Sequence, residues 1–205
     1  MTASRFLAPT PVSAPSLSEL LEAKLPGAVL AAHCWRGDET VTLRPEKLME
    51  AARLLKDDPD FRMNFLMDLT AVDYLQFGKE LKGQGAHANA GIPIRQPVNI
   101  PAEEPWPDPA TAARFEVVYH FFSLPLKRRI RLKVPVEESR PEVESVTSLW
   151  ATANWFEREV WDMYGIRFRG HPDLKRILMY PEFVGHPLRK DYPVNRRQPL
   201  IGPVN

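Results

Sequence analysis

The sequence is short of the parts from which cofactor and disulfide sites are usually built. It has a single cysteine, Cys34, which excludes an internal disulfide and leaves no thiolate set for an iron–sulfur cluster. A reducing compartment suits such a chain. Its 10 glycines form neither a G-x-x-x-x-G-K nor a G-x-G-x-x-G loop, so the common backbone cradles for nucleotide phosphates are missing. A Gly-x-Ser-x-Gly nucleophile elbow is missing too. No apolar run approaches the roughly 20 residues of a membrane helix. The N-terminus lacks the basic-then-apolar layout of a secretory signal, and the chain is expected to be soluble. Charge of one sign is not in excess either. The 27 basic and 26 acidic side chains give a formal net charge of +1, which argues against a generic nucleic-acid binder.

Proline is abundant. The 21 prolines make up about twice the average share, and they gather at positions 9 to 15, 93 to 109 and from 172 onward, where irregular structure is expected. Apolar residues at 44% and charged residues at 26% are otherwise ordinary for a globular protein. The charges are placed unevenly. From Gly165 to the end, eight basic residues stand against three acids, a surplus of +5, so the first 164 residues carry a net −4. Such a basic tail segment is expected to meet acidic groups, on its own body or on a partner.

Periodicity divides the chain into three parts: a flexible tail over 1–15, an α+β body over 16–164, and an extended basic C-terminal arm over 165–205. Ser16 and Glu19 have the capping-box spacing, predicting a helix to Lys24 that stops at Pro26-Gly27. Runs at 28–35 and 39–43 around Arg36-Gly37-Asp38 predict a β-hairpin. Pro45 opens a helix with Leu48, Ala51, Ala52 and Leu55 on one face, closed by Asp57-Asp58-Pro59. A strand follows at 65–74. From 78 to 112, ten of thirty-five residues are Gly or Pro, and the pattern is that of a long insertion loop. A second hairpin is predicted over 114–123 and 127–136, its alternation of Arg129, Arg131 and Lys133 with Ile130, Leu132 and Val134 giving a half-buried strand with a basic outer face. Ser148 is read as the cap of a helix over 149–164, ended by Gly165, with Leu149, Ala153, Phe156, Val160 and Tyr164 facing the sheet. The fold class is therefore α+β, a mixed or antiparallel sheet with helices on one face.

The candidate chemical groups favour structure over catalysis. Glu157 and Glu159 lie two residues apart on a helix and point in nearly opposite directions, so they do not serve one substrate atom. Glu157 borders the apolar face and needs a partner if buried, while Arg158 stands one turn before Asp162 and is expected to pair with it. His171 and His186 recur in two Gly-His-Pro triplets fifteen residues apart. They lack the further ligands that a zinc or iron site requires. His33-Cys34 is read as part of a core strand, not as a catalytic dyad. Trp155, opposite the core face of its helix, is a natural anchor for a partner.

The stretch from Glu157 to Leu178 resembles the signature of the 30 kDa-type subunit, also called the C subunit, of respiratory complex I, the proton-translocating NADH:quinone oxidoreductase. The residues that carry the resemblance are Glu157-Arg158-Glu159, the acid Asp162, the pair Met163-Tyr164, then His171, Lys175 and the aliphatic pair Ile177-Leu178. Residues 185–193, with His186, Arg189, Lys190 and Asp191, are similar to the family as well, and residues 68–74 and 115–124 more loosely. The resemblance implies a peripheral-arm subunit with no cofactor or catalytic residue of its own, the FMN and iron–sulfur clusters lying on other subunits. It implies packing against the quinone-site protein of the arm, the D-type subunit, and against the cluster-bearing B-type and I-type subunits. It also implies a place on the cytoplasmic side of a bacterial membrane, held through partners without direct insertion. On this reading the signature residues serve an interface, and the arm lies across an acidic groove of the D-type partner. The homologous subunit of a membrane-bound hydrogenase, or of a dehydrogenase with another electron donor, is the alternative. A freestanding RNA- or anion-binding protein is disfavoured because the aromatics do not interleave with the basic tail.

Overall fold

The structure is a computed structural model that describes residues 15–76 and 113–199. The tail before Pro15, the insertion expected at 78–112 and the last six residues lie outside the described residues. Helix α1 (Leu17–Lys24) is closed at its start by the full capping box, the Ser16 hydroxyl accepting from the Glu19 N–H and the Glu19 carboxylate accepting from the Ser16 N–H. Strands β1 (Val29–Trp35) and β2 (Asp38–Leu43) form the first hairpin. Its two-residue turn holds Arg36 at φ 52° and Gly37 at φ 84°, the left-handed pair that matches the twist of the strands. A 3-10 turn at Pro45–Lys47 leads into α2 (Leu48–Asp57), whose buried face is the predicted Leu48, Ala51, Ala52 and Leu55.

Strands β3 (Phe65–Asp73), β4 (Phe115–Ser123) and β5 (Arg128–Val136) form an antiparallel meander, and β2 docks on β5 in parallel. The order β1-β2-β5-β4-β3 is a mixed sheet, within the expected mixed or antiparallel class. One face carries Val41, Phe115, Val117, Tyr119, Ile130 and Leu132 into a single core shared with all three helices. The opposite face carries Thr40, Arg131, Lys133 and Glu116, where Lys133 pairs with Glu116 and Arg131 donates to the Thr40 hydroxyl.

The last helix, α3, runs Ala153–Tyr164 and starts four residues later than the capping pattern at Ser148 predicts. The intervening residues form a separate turn in which the Val146 carbonyl accepts from both Leu149 and Trp150 N–H. Trp150 folds inward, and its indole N–H donates to the Met63 carbonyl at 3.0 Å. Ala153 and Val160 are buried, and Phe156, Tyr164 and Leu149 pack partly buried against the core. A two-stranded parallel ribbon, β6 (Glu142–Glu144) with β7 (Arg167–Arg169), brackets α3; three-residue strands are too short to leave a periodic signal. The His33-Cys34 pair is not in the core as expected. β1 is an edge strand paired on one side only, and Cys34 is exposed. No helix of the described residues is long and apolar enough to cross a membrane.

Candidate partner interface

Helix α3 meets the arm through Asp162, whose side chain is wholly buried. Its Oδ2 accepts from the backbone N–H groups of Ile177, Leu178 and Met179 at 3.1, 2.9 and 2.8 Å, and its Oδ1 accepts from the Arg176 guanidinium. Burial alone would raise this carboxyl, but the N–H donors of Met179 and Leu178, with Arg176 and Ile177, outweigh it and hold the group below its ordinary value. The expected Arg158–Asp162 pair does not form. Arg158 lies on the outer side, donates to the Lys175 and Arg176 carbonyls, and stacks 5.2 Å from the Trp155 ring. Arg176 takes its place because the chain turns back after Gly170 and brings that guanidinium to the inner side of the helix. Arg176 also donates to the carbonyls of Phe183 and Gly185 at 2.9 and 3.1 Å, so one side chain fixes two passes of the arm.

A second acid, Asp73 at the end of β3, holds the next pass. It is 5% exposed, pairs with Arg114 at 2.9 Å, and accepts the Lys190 N–H at 2.8 Å. Arg114 also pairs with Asp191 at 2.8 Å and with Glu138. Hydrogen bonding to Asp73 and Asp191 raises the Arg114 guanidinium further above neutrality. Asp73, which burial would raise, is held low by Arg114 and by the Lys190 and Leu75 N–H groups. Arg189 donates to the Tyr164 carbonyl, and the His186 Nδ1–H donates to the Asp162 carbonyl at 3.0 Å. Gly165, at φ 73°, is the close approach of this junction: a Cβ there would lie 2.6 Å from the His186 ring and 2.8 Å from the Arg189 guanidinium. The groups that meet the arm at Arg176, at the Lys190 N–H and at Asp191 are thus the chain's own Asp162, Asp73 and Arg114.

The remaining signature residues divide by exposure. Glu157 is fully buried and accepts from the Ser145 hydroxyl and the Val146 N–H, both at 2.7 Å. Burial pushes its carboxyl up to about 7 against the opposing pull of those two donors. Glu159 is exposed, so the two glutamates do point apart. Tyr164 is half-buried, and burial, with Asp73 and Glu159 nearby, raises its phenol. The His171 Nε2–H donates to the Asn154 carbonyl while its Nδ1 accepts the Asp173 N–H. Lys175 is exposed and pairs with Asp173. Among the described residues no group of three or more His, Cys, Asp or Glu side chains has the spacing to hold a metal ion.

Outside this frame lies an apolar rim. Trp155 is 60% exposed and Leu178 56%, with Val184 and Leu188 both at 47%. The frame residues that sequence reasoning did not single out are Arg176, Arg114 and Asp73. None belongs to a local pattern, since the ion-pair partners and the Lys190 N–H lie 14 to 117 positions away in the chain.

The family model described as "Respiratory-chain NADH dehydrogenase, 30 Kd subunit" matches residues 41–198. The C subunit of the NADH-quinone oxidoreductase of Roseiflexus sp. (strain RS-1) is 43% identical over 180 residues, covering 88% of this chain and 84% of the relative. That of Coxiella burnetii (strain RSA 493 / Nine Mile phase I) is 45% identical over 167 residues, covering 80% and 69%. Among solved structures, the trypsin-resistant fragment (1-134) of Nqo5 aligns with a TM-score of 0.55 and 31% identity, over 77% of this chain and 96% of the fragment. A chain of the membrane-bound sulfane sulfur reductase, an archaeal respiratory membrane complex, shares the fold at TM-score 0.58 and 19% identity, over 87% of this chain and 84% of that one. The class is that of α+β chains built on this mixed five-stranded sheet. More narrowly, the chain belongs to the family of the 30 kDa subunit of respiratory-chain NADH dehydrogenase.

Proposed function

We infer that this chain is a connecting subunit of the peripheral arm of an NADH:quinone oxidoreductase. It supports assembly and the passage of electrons from NADH to quinone, coupled to proton translocation, without a cofactor or catalytic residue of its own. FMN and iron–sulfur clusters belong to other subunits in this reading. Its partners are the D-type quinone-site protein first, then the cluster-bearing B-type and I-type proteins, and they hold it on the cytoplasmic side of the bacterial membrane. The observation that carries the reading is the division of the signature helix. Asp162 and Glu157 turn inward to fix the arm and the preceding turn, while Trp155 on the helix and Leu178 on the arm that Asp162 holds are left outward at 60% and 56% exposure. A large aromatic over half exposed beside a stacked arginine has the composition of an interface anchor. The test is Trp155→Ala with Leu178→Ala in the host. The variant should keep the wild-type unfolding midpoint as an isolated chain yet fail to co-purify with its partners from detergent-solubilised membranes. Co-purification at the wild-type level would remove the rim from the interface. The set of donor subunits recovered with the wild type separates this reading from a hydrogenase or another dehydrogenase.

A further inference from the structure

Glu157 sits where an ionised carboxylate is poorly supported. It is fully buried, and it makes no ion pair with a described residue. The group facing it from β4 is Tyr119, a buried phenol with no hydrogen-bond partner among the described residues, itself raised by burial and by Glu157. From α2, the cation that reaches this turn is Lys56, but its ammonium donates to the Leu149 carbonyl and lies 5.7 Å from the Trp150 ring. On α3 itself the neighbouring Arg158 and Glu159 point away from the core, Arg158 toward the arm carbonyls and Glu159 to solvent. A carboxyl desolvated without a counter-ion favours its protonated form, and burial here pushes it to about 7.

The hydrogen bonds around it accommodate either form. Glu157 Oε2 lies 2.7 Å from Ser145 Oγ, which lies 2.8 Å from Thr147 Oγ1. Ser145 is 7% exposed and Thr147 is half-buried at the surface end of the row. In the ionised form Thr147 donates to Ser145 and Ser145 donates to the carboxylate. In the protonated form the carboxyl O–H donates to Ser145 and Ser145 donates to Thr147. The Val146 N–H donates to Oε1 in both. Passing from one form to the other moves a single proton from solvent to Thr147, one from Thr147 to Ser145, and one from Ser145 to Glu157, so each hydroxyl ends with one hydrogen as it began.

We propose that Glu157 is an exchangeable proton site inside the fold, with Ser145 and Thr147 as the hydroxyl path by which the proton enters and leaves. The site ties the turn after β6 to α3, and the Ser145 N–H also donates to the Arg169 carbonyl of β7 at 2.9 Å. Its protonation therefore bears on the ribbon from which the arm departs. Infrared titration of the isolated full-length chain tests this through the C=O stretch of a buried protonated carboxyl. The wild type should show a band that disappears with a midpoint near 7, and Glu157→Gln should lack it. Ser145→Ala removes a donor to the carboxylate, so it should shift the midpoint upward and slow deuterium exchange into the band. No titrating buried carboxyl between about pH 5 and 9, or a band that persists in Glu157→Gln, would overturn the site. If Glu157→Gln does not fold, an unshifted midpoint in Ser145→Ala would overturn it alone. Unchanged exchange in both Ser145→Ala and Thr147→Ala would overturn the path.

Discussion

Replacing Asp162 with Asn should release the arm while leaving the sheet in place. The carboxylate serves four donors: three backbone N–H groups on one oxygen and the Arg176 guanidinium on the other. Asn keeps one acceptor oxygen and turns an N–H₂ group toward whichever donors it fails to serve. If the oxygen stays with the three N–H groups, the amide faces Arg176, whose side chain is only 16% exposed and loses its buried counter-ion. Breaking one side of a buried ion pair costs about 3 to 5 kcal/mol. Since each 1.4 kcal/mol is a factor of about ten, the open arm should become roughly 10²- to 4 × 10³-fold more populated. Trypsin reads this directly, because Lys175, Arg176, Arg189 and Lys190 all lie in the held segment. When opening is fast relative to cleavage, the cutting rate follows the open population. The acid sign is fixed as well. A carboxyl held below its ordinary 3.8 contributes stability that is complete above that value and is lost as pH falls through the folded one. Wild-type protection should therefore fade on acidification, and Asp162→Asn should show less of that loss. Cleavage of the variant at the wild-type rate, with an unchanged denaturant midpoint, would refute the reasoning and place the arm's anchor elsewhere.

Gly165→Ala should cost about 1 to 2 kcal/mol for the left-handed backbone alone, and more where the new Cβ displaces His186; urea unfolding and the loss of arm protection measure both. Arg114→Met strands the buried Asp73 and should cost about 3 to 5 kcal/mol, with Lys190 and Asp191 becoming protease-sensitive, whereas an unfolding midpoint equal to wild type would show that the clasp is idle. Glu159→Gln, at an exposed position, should change stability by no more than about 0.5 kcal/mol and leave quinone reduction by the assembled complex within a few-fold; a drop of about 10²-fold or more with normal assembly would mark a lost acid–base group. Glu157 has the opposite pH sign to Asp162. Its folded value near 7 against an ordinary 4.5 means that its contribution is fully present below the lower value and is lost as pH rises to the upper one. The loss is on the order of 3 kcal/mol, and Glu157→Gln should flatten the pH–stability curve over that interval.

What could be seen in the sequence follows from the range of the forces involved. The capping box at Ser16, the Arg36-Gly37 turn and the alternation of Arg129 to Val134 are local, so each is legible within a few residues of its own position. The parallel docking of β2 on β5 is not, because its register is set by Glu39 meeting Ile130 ninety-one positions later. The helix start at Ala153 escapes the local pattern for a related reason. Ser148 offers a plausible local cap, but Trp150 gains burial and a hydrogen bond to Met63 by turning inward, and this tertiary gain outweighs a cap worth about 1 kcal/mol.

The interface follows the same division, with a chemical twist. That Glu157 and Glu159 cannot act together is readable from helical geometry alone, and so is the outward place of Trp155. The partner of Asp162 is not readable, because Arg158 and Arg176 are equally basic and only the path of the arm decides which one arrives. The +5 surplus is equally silent about where its acids lie, since Asp73 and Asp162 sit on different elements of a body whose net charge is only mildly negative. Arg176 and Asp191 are paired within the chain, and beside its exposed basic side chains the arm offers a neighbour three exposed apolar residues, Leu178, Val184 and Leu188, to which α3 adds Trp155. Binding through this rim should therefore weaken only slightly with added salt, since surface charge pairs are screened over about 10 Å at 0.1 M while apolar burial is not. A steep loss of assembly over moderate ionic strength would instead return the basic residues to the interface.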